Sequence, residues 1–115
     1  MCNCIFCKII AGEIPSAKVY EDDKVLAIKD INPQAPVHVL VMPKKHMSSL
    51  LAMDSSNAED VTAVMSAITK IAADMGISEE NGMRVINNCG PDGAQSVMHL
   101  HFHLLAGRKL GETIV

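Results

Sequence analysis

Tryptophan is absent, and Phe6, Tyr20 and Phe102 are the only aromatic side chains in 115 residues. That argues against single-strand nucleic acid binding on stacking platforms, because such sites present an aromatic face to successive bases. Net positive charge is missing too: ten Lys and Arg against thirteen Asp and Glu leave a formal charge of −3. The chain has no field to gather a polyanion, so neither nucleic acid nor an anionic membrane surface is expected as a partner. No apolar run approaches the roughly 20 residues that a bilayer crossing needs. Met1-Cys2-Asn3-Cys4 opens without the charged start, apolar stretch and small-residue cleavage site of a secretory signal. The expected compartment is therefore the cytoplasm, whose reducing conditions argue against reading the cysteines as a disulfide framework. What the chain does have is 49% hydrophobic residues, with eight Met as adaptable filler, and a length that suits one domain over residues 1–115. Against that background, four Cys and five His form a surplus to be explained.

Along the chain, Lys8–Ala11 reads as one or two helical turns closed by Gly12. Residues 17–21 and 24–29 are β-leaning runs around Asp22-Asp23, the outline of a tight antiparallel hairpin. Two prolines keep Asp30–Pro36 a loop, and Val37–Met42 is a third strand, apolar almost throughout and so central, stopped by Pro43. Ser56 and Glu59 have the spacing of a capping box, after which Val61, Val64, Met65, Ile68, Ile71, Ala72 and Met75 recur at helical spacing up to Gly76. A fourth strand over Gly82–Asn87, a glycine-containing turn and a fifth strand over Val97–Ala106 complete the pattern. The predicted class is α+β: a five-stranded antiparallel sheet packed against one long helix, plus a short N-terminal helix.

Cys4-Ile5-Phe6-Cys7 has the spacing at which a turn can aim two thiolates at one metal ion, and it also suits redox chemistry or inert thiols. The redox reading lacks the βαβ frame it normally needs. In Met98-His99-Leu100-His101-Phe102-His103-Leu104 the strand period of two puts the three His on one face and the apolar residues on the other. Same-face neighbours on a strand stand about 6.8 Å apart, so one metal ion cannot easily take all three. Three clustered imidazoles disfavour one another's protonation, which an ordinary core avoids with Val or Ile. An active site is the more economical reading. A neutral imidazole can attack phosphorus and later leave, splitting one displacement into two. Directly upstream, Asn88-Cys89-Gly90-Pro91-Asp92-Gly93-Ala94-Gln95-Ser96 offers glycines for close backbone approach together with amide and hydroxyl groups for phosphate oxygens, although Asp-Gly also makes plain turns.

These residues resemble the histidine triad family, whose H-φ-H-φ-H-φ-φ signature (φ apolar) matches His99–Leu105. Phe6–Ile10, Ile14-Pro15, Asp30–Pro36, Val41–His46 and Gly93–Val97 follow the family's order, and Gln95-Ser96-Val97 with Ala106-Gly107-Arg108 is more similar to its Hint branch than to its Fhit branch. The resemblance implies a hydrolase of purine nucleoside phosphoramidates and related adenylates that works through a nucleotidyl-histidine and releases a nucleoside monophosphate such as AMP. By position, His101 is the nucleophile, His103 and His38 hydrogen-bond around the phosphate and relay protons, and Ser96 and Gln95 hold phosphate and leaving group. Asn88 supports the phosphate region, Asp30 binds the ribose, and Phe6, Ile9, Ile28 and Ile31 wall the base. Relatives with the Cys pair imply a structural zinc site at Cys4, Cys7, His46 and His99, with no organic cofactor. Cys2, a weaker substitute for Cys4, and Cys89 have no assigned role. The family also implies a homodimer, while the chain's last residues lack the aromatic tail of eukaryotic Hint proteins and leave the leaving group open.

Other readings compete with this one: a dinucleotide polyphosphate hydrolase of the Fhit kind, a hydrolase with a catalytic zinc between neighbouring triad histidines, and a zinc-stabilised nucleotide-binding or interaction protein with little catalysis.

Overall fold

The computed structural model describes residues 4–115, so Cys2 lies outside the described residues. Helix α1 spans Ile5–Ile10, earlier than the sequence indicates, because Cys4 is its N-cap and takes the Cys7 N–H on its sulfur. Strands β1 (Lys18–Glu21) and β2 (Val25–Lys29) form the expected antiparallel hairpin. Asp22 fixes its turn by accepting the N–H groups of Lys24 and Val25, both at 2.8 Å. Strand β3 (Val37–Pro43) is central, paired on one side with β2 and on the other with β5 (Phe102–Ala106). Strand β4 (Arg84–Ile86) closes the sheet, giving the antiparallel order β1-β2-β3-β5-β4.

Helix α2 runs Ala58–Asp74 and ends as predicted: Gly76 takes φ +74°, and the N–H of Ile77 returns to the carbonyl of Ala72 at 2.9 Å. Its start departs from the expected capping box. Asn57 is the N-cap, and its side chain turns back to the preceding segment, accepting from the Asp54 N–H and donating to the Ala52 carbonyl. Glu59 reaches Lys24 instead of the helix start.

The sheet is buried on both faces, which is why β2 and β3 read as unbroken apolar runs. Val25, Ala27, Val39, Val41, Leu100, Phe102 and Leu104 meet Val64, Ala67, Ile68 and Ile71 of α2. On the other face Leu26, Ile28, Leu40 and Met42 pack with Phe6 and Ile9 of α1. Each fully buried Leu or Ile contributes about 1.5–3 kcal/mol relative to an exposed one.

The fifth strand is shorter than the expected Val97–Ala106, and the fourth shorter than Gly82–Asn87. Residues 97–101 approach the sheet without entering the ladder because their hydrogen bonds go elsewhere. The Leu100 N–H donates to the Met47 carbonyl at 2.6 Å, and the His99 N–H to the Val97 carbonyl at 2.9 Å. His99 and His101 therefore sit at the mouth of β5, and only His103 lies within it.

Candidate functional site

Cys4 and Cys7, on the first turn of α1, converge with His46 from the segment after β3 and His99 from the approach to β5. Sulfur-to-nitrogen distances are 3.7 and 3.4 Å from Cys4 to His46 and His99, and 3.4 and 3.5 Å from Cys7 to the same Nδ1 atoms. The two Nδ1 atoms are 3.2 Å apart. A tetrahedral ion with metal–sulfur bonds of about 2.3 Å and metal–nitrogen bonds of about 2.0–2.1 Å requires edges of about 3.6 Å and 3.4 Å. The donor set thus has the size of one tetrahedral ion, although the Cys7 sulfur is disulfide-bonded here, against the expectation of reduced cysteines, and would bind metal only after reduction. Its protonation fits as well: His99 Nε2–H donates to the Pro43 carbonyl at 2.8 Å, which leaves Nδ1 with its lone pair facing the cluster. His99 is fully buried, and burial first, then the neighbouring His46 and His101, pushes its pKa down and keeps it neutral, against the Pro43 carbonyl.

The opposite edge of the His strand is wired differently. His101 Nδ1–H donates to the His99 carbonyl at 2.7 Å, so the neutral tautomer that this bond selects has its lone pair on Nε2. Phe6 packs edge-on against this ring, centroids 4.9 Å apart and planes at 88°. His38 Nδ1 accepts the Gln34 N–H at 3.0 Å, which places its proton on Nε2, 2.9 Å from His103 Nδ1 and 3.3 Å from Asp30 Oδ2. Burial lowers the His103 pKa, His101 and His38 add to that, and only Asp30 opposes it.

Asp30, His38 and His103 also bring three metal-type ligand atoms together. Here the protonation argues against an ion. His38 Nε2 could coordinate only by moving its proton to Nδ1, where it would face the Gln34 N–H. The trio is a hydrogen-bonding chain rather than a metal site.

The loop before the triad is tightly built. A Cβ on Gly93 would lie 2.5 Å from the Cys89 carbonyl oxygen, and Ala94 takes φ +56°, a conformation uncommon outside glycine. Ser96 is exposed and Asn88 half-buried, so both are open to a ligand. Gln95, expected at the phosphate, turns its side chain inward. It is buried, and its amide is engaged with the backbone: Nε2 with the Ser48 and Val97 carbonyls, Oε1 with the Gly90 N–H. Of the four expected base-wall residues, Phe6, Ile9 and Ile28 belong to the buried core beneath the histidines, whereas Ile31 is 92% exposed beside Asp30. Sequence reasoning missed Asn87, whose side chain donates to the His101 carbonyl at 3.0 Å, and Gln34, whose backbone sets the His38 tautomer. An amide side chain immediately after a short strand was the signal available for Asn87. A backbone donor leaves no such signal.

Residues 11–110 match the HIT domain family. The chain is 46% identical over 108 residues to the 14 kDa zinc-binding protein of Zea mays, covering 92% of this chain and 83% of that protein. Among solved structures, a histidine triad protein from Clostridium difficile is 54% identical with a TM-score of 0.92, over 98% of this chain and 97% of that one. A HIT family hydrolase from Clostridium thermocellum is 50% identical with a TM-score of 0.93, over 100% and 99% of the two chains. The histidine strand, the paired cysteines and these likenesses converge: the chain belongs to the HIT domain family.

Proposed function

We propose that the chain, as one HIT domain, hydrolyses purine nucleoside phosphoramidates and related adenylates through a nucleotide bound covalently to His101. The observation that carries this reading is the 2.7 Å bond from His101 Nδ1–H to the His99 carbonyl, which commits the Nε2 lone pair to attack. The hydrolase name of the Clostridium thermocellum structure supports it. Attack forms the bond from His101 Nε2 to phosphorus and breaks the bond from phosphorus to the leaving amine or carboxylate. The chain from His38 Nε2–H to His103 supplies the proton that the departing group takes up. Water then forms the new P–O bond as the P–N bond breaks, its proton returns to the histidines, and a nucleoside monophosphate leaves. In this reading Asp30 accepts the ribose hydroxyls, Ser96 and Asn88 hold phosphate oxygens, and Ile31 flanks the base; the exposure of Ser96 and Ile31 supports it.

Cys4, Cys7, His46 and His99 would hold zinc, as the name of the maize zinc-binding relative suggests for that protein. With four protein ligands the ion has no open position, so what it supplies is cross-linking of α1 to the catalytic approach. A homodimer is supported by the open edge of β4, where Val85 is 40% exposed and Met83, just before the strand, 42%. Gel filtration of Val85→Asp against the parent chain tests that interface.

The test of the reaction is mass spectrometry after an alkaline quench of the chain mixed with adenosine phosphoramidate. An AMP adduct on the His101 peptide is expected, with no adduct and no turnover for His101→Ala. Undiminished turnover by that variant would overturn the reading.

A further inference from the structure

The last residue of β3 and the segment after it carry more than a metal ligand. The Pro43 carbonyl takes the His99 ring N–H, the Met47 carbonyl takes the Leu100 N–H at 2.6 Å, and His46 joins the four-ligand cluster. Residues 43–51 therefore form a strap across the approach to His101. Ser48 extends this strap to the phosphate-side loop, because its carbonyl accepts Gln95 Nε2 at 2.7 Å. The same nitrogen donates to the Val97 carbonyl at 3.0 Å, while Oε1 takes the Gly90 N–H at 2.9 Å. Gln95 is only 9% exposed, and its amide faces three backbone groups, two of its own loop and one of the strap. A side chain so committed has little left to offer a substrate. At the far end of the strap, Ser49, then the Leu51 and Leu50 N–H groups, lie close enough to the half-buried Cys89 thiol to lower its pKa, so this thiol reports whether loop and strap stay together.

We propose that Gln95 is a positioning residue that locks the 89–97 loop to the metal-bearing strap, so that order in the phosphate loop and occupancy of the Cys4, Cys7, His46 and His99 site are thermodynamically linked. The proposal rests on the zinc and nucleotidyl-histidine readings above. Linkage is reciprocal: whatever loosens the loop weakens metal binding by the same factor, and loss of metal loosens the loop.

The experiment uses the full zinc-loaded chain and its Gln95→Met and Gln95→Glu variants, the first similar in volume without donors, the second replacing the donor with a carboxylate. Three quantities are read without substrate or with it: the rate of zinc loss to a chromogenic chelator, the rate of Cys89 alkylation by peptide mass, and kcat with KM. Expected are zinc loss and Cys89 alkylation accelerated about 10-fold or more, the scale of losing a partner that orients a metal site, with kcat reduced and KM little changed. In the unsubstituted chain, stripping zinc with a chelator should accelerate Cys89 alkylation, an arm that depends on no variant folding. Variants that keep zinc and protect Cys89 like the parent, losing only KM, would make Gln95 a substrate contact and overturn the proposal, as would a Cys89 rate indifferent to zinc. A parent chain that binds no zinc would overturn the metal reading and the linkage with it, while an absent His101 adduct in a zinc-linked loop would overturn the reaction alone.

Discussion

His99 turns its ring and its carbonyl to different tasks: Nδ1 faces Cys4 and Cys7 at 3.4 and 3.5 Å, and the carbonyl oxygen accepts His101 Nδ1–H at 2.7 Å. One residue thereby joins the metal cluster to the proposed nucleophile. His99→Asn keeps the carbonyl and removes the ring. It should weaken metal binding by about 10–100-fold or more and lower kcat, because the carbonyl loses the anchor that fixes its direction. Metal content and kcat measured on the same preparation check this; full activity without metal would mean that the carbonyl needs no anchor.

The pH dependence follows from His103. Its folded pKa lies below the ordinary 6.5, chiefly because it is buried. Below 6.5 the unfolded chain takes up a proton that the folded chain refuses, so this group's contribution to stability, full above 6.5, is lost as pH falls toward the folded value. The acid limb of kcat should likewise lie below 6.5. Asp30 is the one group raising this pKa, so Asp30→Asn should move the limb to still lower pH. A pH-rate series on both chains, with an NMR titration of the His103 ring, provides the check.

The 30–36 loop that sets the His38 tautomer is held from behind. Arg108 Nη2 donates to the Gln34 carbonyl at 3.1 Å, and Gly107, at φ +98°, packs so closely that a Cβ would lie 2.7 Å from Pro36 Cβ. Gly107→Ala should cost about 1–3 kcal/mol of stability through backbone strain. It should also disturb the Gln34 N–H bond to His38, which nitrogen NMR of the imidazole reads directly as a change in the proton's position. An unaltered His38 spectrum would show that the loop holds itself.

The sequence made legible whatever depends on local period. The three histidines do oppose Leu100, Phe102 and Leu104, and α2 ends at Gly76, because alternation and the left-handed glycine are properties of neighbouring residues. The meeting of Cys4, Cys7, His46 and His99 was carried by family resemblance, since nothing local joins residues 4 and 99. The start of β5 was missed for the same reason: the Met47 carbonyl that draws Leu100 out of the ladder is more than fifty residues away. For Gln95 the sequence shows only an amide beside a glycine loop, which has the chemistry of a phosphate ligand; the Ser48 carbonyl opposite it is a tertiary partner that no local pattern announces.

The start of α2 gives a stability test of the same distinction. Ser56-x-x-Glu59 has the spacing of a capping box, yet the buried side chain at this corner is Asn57. Its Oδ1 takes the Asp54 N–H at 2.8 Å and its Nδ2 gives to the Ala52 carbonyl at 3.0 Å. Asn57→Ala leaves two backbone groups without partners in a partly buried turn, a loss of about 1–3 kcal/mol. Glu59→Ala removes only an exposed contact to Lys24 at 3.4 Å and should cost under about 0.5 kcal/mol. Urea titrations of the two variants rank them. Equal losses would restore Glu59 to a capping role, whereas a large loss for Asn57 alone means that the turn before α2 is set by tertiary hydrogen bonds rather than by the helix's own end.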